Sequence, residues 1–304
     1  MRQQWKRTLI VAGVVLLLAA GRPQAQPLVS GTENLDFDRP EAWAMKYFAS
    51  LSLLTSMGAP KAYEPGAILL GFEGGWVPHL SEDQRRVGFN GTKLEDLNKT
   101  PFFGRIRATV GLPSKFSVDI GYVPPIELNG AKPHFFSAAL ARPLAEPDWG
   151  RLGFRVLGQF GSIDGDFTCS AEDVAGGDDP DLNPFSCEAP SNDETTVRYL
   201  GLELSNAFRL GNPSIEPYVA LSVNYLDLKF QVNALYSGIR DETLQLTDGF
   251  TFSVSGGVVF YLAERWRLVG EVFYSPLGVV RPPNTDSQND GLFNIRGLVE
   301  YRIR

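Results

Sequence analysis

The sequence has little cysteine and histidine, and after its first twenty residues it has no long apolar run. Among 304 residues there are 2 Cys and 2 His. No zinc-ligand motif, nucleotide-binding loop or G-x-S-x-G motif occurs, so we expect no cofactor, no metal site and no catalytic residues. No later stretch approaches the roughly 20 apolar residues that a membrane helix needs, which disfavours a helical membrane protein.

Positive charge is also scarce. The chain has 28 Lys+Arg against 35 Asp+Glu, a formal net charge of −7. Residues 1–26 hold four basic residues and no acidic one, so without them the net charge is about −11. Nucleic-acid phosphates require a basic face, and we therefore expect no nucleic-acid partner.

The N-terminus contains the chain's one apolar stretch of note. Arg2, Lys6 and Arg7 precede an apolar run from Leu9 to Ala20, followed by small and polar residues. This pattern predicts a secretory signal peptide over residues 1–26 and therefore export from the cytoplasm. Cleavage could follow Gly21 or Ala25, and no cysteine stands near the junction to carry a lipid anchor.

Residues 27–65 form a polar lead that contains one predicted helix, over 40–57. Asp38 is a candidate N-cap, with Pro40 in the first turn and Glu41 three residues after the cap. Apolar residues recur at helical spacing at Trp43, Tyr47, Leu51 and Leu54. A strand remains open for the same stretch, because alternate positions from Met45 to Leu53 are also apolar.

From residue 66 onward the pattern is that of β-strands. The alternation predicts ten strands, at 66–77, 102–112, 115–124, 134–143, 150–162, 195–209, 216–233, 248–262, 265–276 and 291–303. In the eighth, Phe250, Val254, Val258 and Phe260 share an apolar face opposite Thr251, Ser253 and Ser255. Alternation alone does not decide whether such a face meets a protein core or lipid.

The connections between predicted strands alternate in length. The longer ones include 78–101, 163–194, 234–247 and 277–290, and the intervening ones are short. Outer-membrane barrels have this asymmetry because tight turns face the periplasm and longer loops face outside. An even strand number then predicts that both termini are periplasmic. Aromatic residues also stand near strand ends, at Trp76, Tyr122, Tyr225, Tyr274 and Tyr301.

The signal peptide, the alternating strands, the loop asymmetry and the aromatic-rich last strand together resemble bacterial outer-membrane β-barrel proteins. The resemblance covers residues 66–304 and departs at the end, "VEYRIR", where such barrels often finish in an aromatic residue. It implies an all-β, antiparallel, up-and-down transmembrane barrel of about ten strands, with twelve possible, in the bacterial outer membrane. It also implies contact with outer-membrane lipid and with the outer-membrane insertion machinery, and it predicts that Phe250, Val254, Val258 and Phe260 face lipid.

The strand register places charges of both signs on the face opposite the lipid, where they would line the lumen and pair. These lumen-lining candidates are Glu73, Arg105, Arg107, Asp119, Arg155, Glu203, Arg267, Glu271, Arg296 and Glu300. They could form a packed network that holds the barrel. Alternatively, they could line a narrow polar lumen that passes small solutes, with Arg105, Arg107, Arg155 and Glu271 at its constriction. A helix entering the lumen would plug it.

The connection at 163–194 is acidic and contains both cysteines. An oxidising exterior predicts a disulfide between Cys169 and Cys187. The loop could serve a surface adhesin or receptor, and its aspartates lack the spacing of a calcium-binding loop. Two further alternatives are a soluble secreted β-sandwich binding protein and an outer-membrane hydrolase using His79 or His134. We expect no enzyme, because His134 and Ser137 fall on opposite faces of one strand.

Overall fold

A computed structural model describes residues 26–263 and 265–304. The predicted signal peptide therefore lies outside the described residues, apart from residue 26. Ten long strands form the wall, and they agree with the ten predicted ones: β1 Ile68–Trp76, β2 Phe102–Gly111, β3 Ser117–Val123, β4 Ala131–Ala145, β5 Gly150–Gly165, β6 Asp193–Phe208, β7 Ile215–Gln231, β8 Ile239–Leu262, β9 Trp266–Ser275 and β10 Leu292–Arg302.

The strands join in sequence order, each antiparallel to its neighbours, and the sheet closes on itself. Closure is made by β10 on β1, from Arg296 opposite Gly75 to Arg302 opposite Leu69. Every strand of the wall is thus paired on both sides, which is the condition for a β-structure to cross lipid. The predicted ten-stranded antiparallel barrel is confirmed, and the alternative of a β-sandwich is wrong.

The two faces of the wall differ as the alternation predicts. In β8, Phe250 and Phe252 are 64% and 60% exposed on the outside, whereas Thr251 and Ser253 are buried inside. The same outward pattern recurs on β10 at Phe293, Ile295 and Val299. Outward apolar and inward polar positions are the arrangement of a lipid-embedded barrel. Among the described residues, no helix has the length and apolar character to span a membrane.

The two rims of the barrel differ in their connections. At one rim, which we call the turn rim, the strands are joined at 112–116, 146–149, 209–214 and 263–265. At the loop rim they are joined at 77–101, 124–130, 166–192, 232–238 and 276–291. The loops contain only short elements: helices Glu82–Arg85, Gly88–Gly91 and Ala171–Ala175, and strands Arg86–Val87, Lys93–Leu94, Cys187–Ala189, Ala234–Tyr236, Gly278–Val279 and Gln288–Asn289. A 3-10 turn, Pro113–Lys115, lies at the turn rim.

One predicted long connection, 234–247, is wrong, because β8 begins at Ile239. Residues 240–246 are extended because other strands pair with this part of β8 on both of its sides. An N-terminal strand, Leu28–Asn34, pairs in parallel with Arg240–Leu246, and β7 pairs with β8 from Leu244 onward. The N-terminal strand takes the edge that β9 leaves open, since β9 pairs with β8 only from Val254.

The segment after the N-terminal strand runs through the barrel. Helix α1, Pro40–Leu51, is buried inside, and residues 52–60 continue to the turn rim, where the Gly66 N–H donates to the Gly111 carbonyl at 2.9 Å. Ten strands about 4.8 Å apart and tilted by about 40° enclose a backbone cylinder about 20 Å across. Inward side chains leave about half of that width, and a helix about 10 Å wide fills it. We call residues 40–60 the plug.

This path corrects the prediction that both termini lie at the turn rim. At the turn rim β1 begins and β10 ends, but residues 26–34 lie at the loop rim. The helix also differs from the predicted 40–57. It starts with Arg39 as N-cap in place of Asp38, and it ends at Leu51. The carbonyls of Ser50, Leu51 and Leu53 accept hydrogen bonds from the wall residue Arg296, which replaces further helical bonding.

Candidate functional site

Arginines from the barrel wall bind the backbone of the plug. Arg296 donates to the carbonyls of Ser50, Leu51 and Leu53 at 3.0, 3.3 and 2.7 Å. Five further arginines each reach one plug carbonyl: Arg105 to Ser52, Arg155 to Leu54, Arg107 to Thr55, Arg267 to Met57 and Arg151 to Ala59. A guanidinium has several fixed donors, so it can bind the plug and a carboxylate together. Six arginines thus hold residues 50–59, of which only Ser50 and Leu51 belong to α1.

Wall carboxylates pair with five of these six arginines, all except Arg296. Glu73 lies 3.4 Å from Arg105 and 3.2 Å from Arg107. Arg155 bridges Asp119 at 3.0 Å and Glu203 at 3.2 Å, while Arg267 pairs with Glu300 at 2.6 Å and Arg151 with Glu216 at 2.5 Å. Glu271 accepts hydrogen bonds from Thr55 at 2.6 Å and Tyr218 at 2.8 Å. Buried charges are tolerable only when paired in this way.

All ten lumen-lining candidates point inward, and the structure brings them together around the plug. Arg105, Arg107, Arg155 and Glu271, which the pore hypothesis places at a constriction, surround residues 52–55. The lumen at their level is therefore occupied by chain. Sequence reasoning missed Arg151, Gln159, Tyr199 and Tyr218, which also face inward. Arg151 and Gln159 share the alternation of Arg155 on β5, a signal that could have found them.

A cavity of about 360 Å³ lies at the loop-rim end of the plug. The N-terminal strand, the start of α1 and the loops at 77–101 and 166–192 enclose it, together with the ends of β7 and β8. One part of its wall is apolar and is formed by Ala44, Met45, Phe48, Leu97, Phe167 and Phe230. Its volume and mixed lining are those of a small-molecule site.

The charged part of the cavity wall is mainly acidic. Glu33, Glu41, Glu95 and Asp241 line it, with Arg39 as the one lining cation among the described residues. Arg39 bridges Glu33 at 2.8 Å and Glu41 at 2.9 Å. Asp241 accepts from Tyr236 at 2.8 Å. The cavity wall thus carries more negative than positive charge.

Glu95 is the most perturbed carboxyl of this wall. Burial raises the pKa of Glu95 to about 8, although Lys93, 2.6 Å away, acts in the opposite direction. Lys93 also donates to the carbonyl of Thr168, so its charge is shared between two acceptors. Burial therefore favours the protonated form of Glu95 near neutral pH, and a cation placed beside it would favour its ionised form.

The acidic loop closes one side of the cavity. The predicted disulfide between Cys169 and Cys187 is confirmed, with Cα atoms 5.7 Å apart. Just before it, Phe167 packs on Phe48 of α1, with ring centroids 5.3 Å apart. Within residues 26–263 and 265–304 no cluster of three or more His, Cys, Asp or Glu side chains could hold a metal ion. Asp173 instead caps the helix Ala171–Ala175 through Ser170.

The two histidines lie apart from the cavity. His79 Nε2 is 3.2 Å from the side-chain nitrogen of Asn98 in the first loop. His134 packs against Tyr122 and Phe136 on the outer face of the wall, whereas Ser137 is buried on the inner face and donates to the Gly121 carbonyl. The structure therefore places His134 and Ser137 on opposite faces of β4, as the sequence indicates.

No family model matches the sequence, and no curated protein matches it either. Among solved structures, the outer membrane protease OmpT from Escherichia coli matches with 11% identity and a TM-score of 0.39, over 84% of this chain and 100% of that one. The translocator domain of the autotransporter NalP from Neisseria meningitidis matches with 10% identity and a TM-score of 0.39, over 80% and 89%. Neisserial surface protein A matches with 9% identity and a TM-score of 0.33, over 78% and 99%. The closed ten-stranded wall and its apolar outer face are those of a bacterial outer-membrane β-barrel protein, the family that the sequence resembles.

Proposed function

We propose that this protein binds a small amphiphilic cation in the cavity at the loop rim. The carrying observation is the cavity itself, with an apolar wall on one side and four acidic side chains on the other, whose cationic partners are Arg39 and Lys93. An apolar body would pack against Met45, Phe48 and Phe167, and a cationic group would lie near Glu41 and Glu95. Apolar surface with a few convergent polar groups is the usual composition of a ligand site.

The position of the plug in the lumen supports a barrel that is closed to solutes. Solutes could pass the lumen only if residues 50–59 left it, and that movement would strip hydrogen bonds from six arginines. Such bonds to a charged donor contribute about 1.5–3 kcal/mol each. We therefore propose that the lumen network is structural, and that passage of small solutes requires release of the plug.

The remaining parts of the proposal concern location and chemistry. We propose export by the signal peptide, delivery by the outer-membrane insertion machinery and contact with outer-membrane lipid, with the loop rim outside. We also propose that the protein is not an enzyme, which the separation of His79, His134 and Ser137 supports. The packing of the 163–194 loop against α1 favours a role in closing the cavity over one as a projecting adhesin.

The test is a binding measurement on the protein in lipid nanodiscs. Equilibrium dialysis with octyltrimethylammonium, below its micelle concentration, should show saturable binding that octyl sulfate does not show. Ala44→Trp fills the cavity and should weaken binding at least about tenfold, as expected when a ligand's apolar packing is lost. Ala138→Trp, which adds the same bulk on the lipid-facing side, is the matched control.

A conservative change guards against misfolding of the filled variant. Glu95→Gln keeps the shape of the wall and removes the ionisable carboxyl. At pH 9, above the Glu95 pKa of about 8, it should weaken cation binding while the barrel keeps its mobility on unboiled gels. Absence of saturable cation binding in the wild type, or equal binding of octyl sulfate, would contradict the proposal.

A further inference from the structure

The wall of the barrel is interrupted next to β3. This strand spans only Ser117–Val123, and its pairing with β2 stops at Ile106 opposite Tyr122. Its pairing with β4 stops at Val123 opposite Phe135. Pro124 and Pro125 follow, and because proline has no N–H to donate, the ladder cannot continue there. Both β2 and β4 extend further toward the loop rim, so a stretch of wall between them lacks a paired strand.

A groove of about 440 Å³ lies at this interruption, and it is almost entirely apolar. Its outer part is formed by Phe72, Phe102, Ile106 and Ile126, which are exposed on the lipid-facing side. Its inner part is formed by Leu51, Leu97, Phe135 and Ile163, which are buried inside the barrel. Phe48 of α1 also lines it. The groove therefore joins the lipid-facing surface to the plug through the wall.

We propose that this groove admits a hydrocarbon chain of an amphiphile dissolved in the outer leaflet. The groove lies toward the loop rim, at the level where Phe102 pairs with Trp76, and its mouth continues the apolar band that meets lipid. Water inside it would find few polar partners, which disfavours a wet groove. A hydrocarbon chain loses no hydrogen bonds on entering and exchanges lipid contacts for contacts with the groove wall.

The groove and the ligand cavity are adjacent. Phe48 and Leu97 line both of them, so these two side chains form the partition between the two spaces. An amphiphile whose chain enters the groove would bring its polar end toward the acidic wall by a small movement of that partition. The inference that the groove admits a hydrocarbon chain is based on the residues that line the groove. Only the approach of the polar end to the acidic wall rests on the proposed function.

Quenching by brominated lipid tests whether chains reach the plug. In a protein freed of its other tryptophans, Phe48→Trp places a fluorescent reporter in the groove. Trp43 alone, on the same helix and 1% exposed, is the matched interior control, and Trp76 alone is the lipid-facing reference. Quenching of the groove reporter by lipids brominated along their chains should exceed quenching of Trp43 at least about twofold. Quenching requires a bromine atom near contact with the indole ring, and only the groove would bring a lipid chain that close.

A second substitution ties the effect to the groove. Ile163→Phe enlarges a side chain of the inner lining and should reduce quenching of the groove reporter while leaving that of Trp76 unchanged. Quenching of the groove reporter no greater than that of Trp43 would overturn the inference. Absence of cation binding by the wild-type protein, with quenching of the groove reporter observed, would contradict the proposed function alone. Cation binding by the wild-type protein without quenching of the groove reporter would contradict the groove alone. Heat-modifiable mobility of each variant shows that the barrel has closed.

Discussion

Arg296 is the wall residue with the most bonds to the plug, and its replacement by methionine should destabilise the protein strongly. Its guanidinium donates to three plug carbonyls and to Asn294 Oδ1, and it lies over the ring of Phe273 at 4.2 Å. Methionine is of similar length and apolar, so Arg296→Met removes the donors without leaving a large void.

The expected loss follows from the groups left behind. Each buried carbonyl without a partner costs about 1–3 kcal/mol. The carbonyls of Leu51 and Leu53 lose their partner, whereas that of Ser50 keeps the Leu53 N–H at 3.4 Å, and relaxation of the plug relieves part of the cost. Removing one partner of a buried charged network costs about 3–5 kcal/mol by comparison. We expect a loss of about 4 kcal/mol, close to a thousandfold in the folding equilibrium.

The measurement is urea unfolding in detergent or bilayers, followed by the folded fraction on unboiled gels and by tryptophan fluorescence. Arg198→Met is the matched control, because Arg198 is an exposed wall arginine 57% accessible to solvent, and its loss should change the free energy by less than about 0.5 kcal/mol. If the two variants unfolded at the same urea concentration, the arginine–carbonyl bonds would not hold the plug.

Three further results are expected. Deletion of residues 27–60 should turn a barrel that is silent in planar bilayers into one that conducts, and a silent truncated barrel that is still heat-modifiable would refute occlusion by the plug. Binding of octyltrimethylammonium should strengthen by up to about tenfold between pH 7 and pH 9. The pKa of Glu95 is about 8, so the carboxylate that attracts the cation forms as the pH rises through this range. Glu95→Gln should remove this pH dependence. Replacement of both Cys169 and Cys187 by serine should weaken cation binding, because the disulfide that closes this 18-residue separation contributes roughly 3 kcal/mol to the order of the cavity wall. The barrel of this variant should keep its mobility on unboiled gels.

The wall of the barrel could be predicted from the sequence because each strand has a local signal. In β8 the alternation of Phe250 and Phe252 with Thr251 and Ser253 fixes which side faces lipid, and no distant residue is needed to interpret it. The same rule places Arg105, Arg155 and Glu271 inside. The inward direction of these side chains is a property of the pleat, so it survives errors of a few residues in the strand ends.

The plug and the cavity could not be predicted in the same way. The helical spacing of Trp43 and Tyr47 indicates a helix, but the end of α1 at Leu51 is set by Arg296, 245 residues away in sequence. The strand Leu28–Asn34 has no pattern that identifies Arg240–Leu246 as its partner. Its position depends on which part of β8 is left unpaired by β9. The cavity is assembled from segments far apart in the chain, none of which has a ligand motif.

The path of the N-terminal segment constrains how the barrel is assembled. The chain enters at the loop rim, passes through the lumen and leaves at the turn rim before β1 begins. Residues 26–34 and the start of β1 therefore lie at opposite rims of the barrel. If the loop rim is outside, this segment lies across the membrane from the start of β1, and it can enter the lumen from the side only before β10 pairs with β1. In that orientation a peptide joined ahead of residue 26 would be displayed on the cell surface.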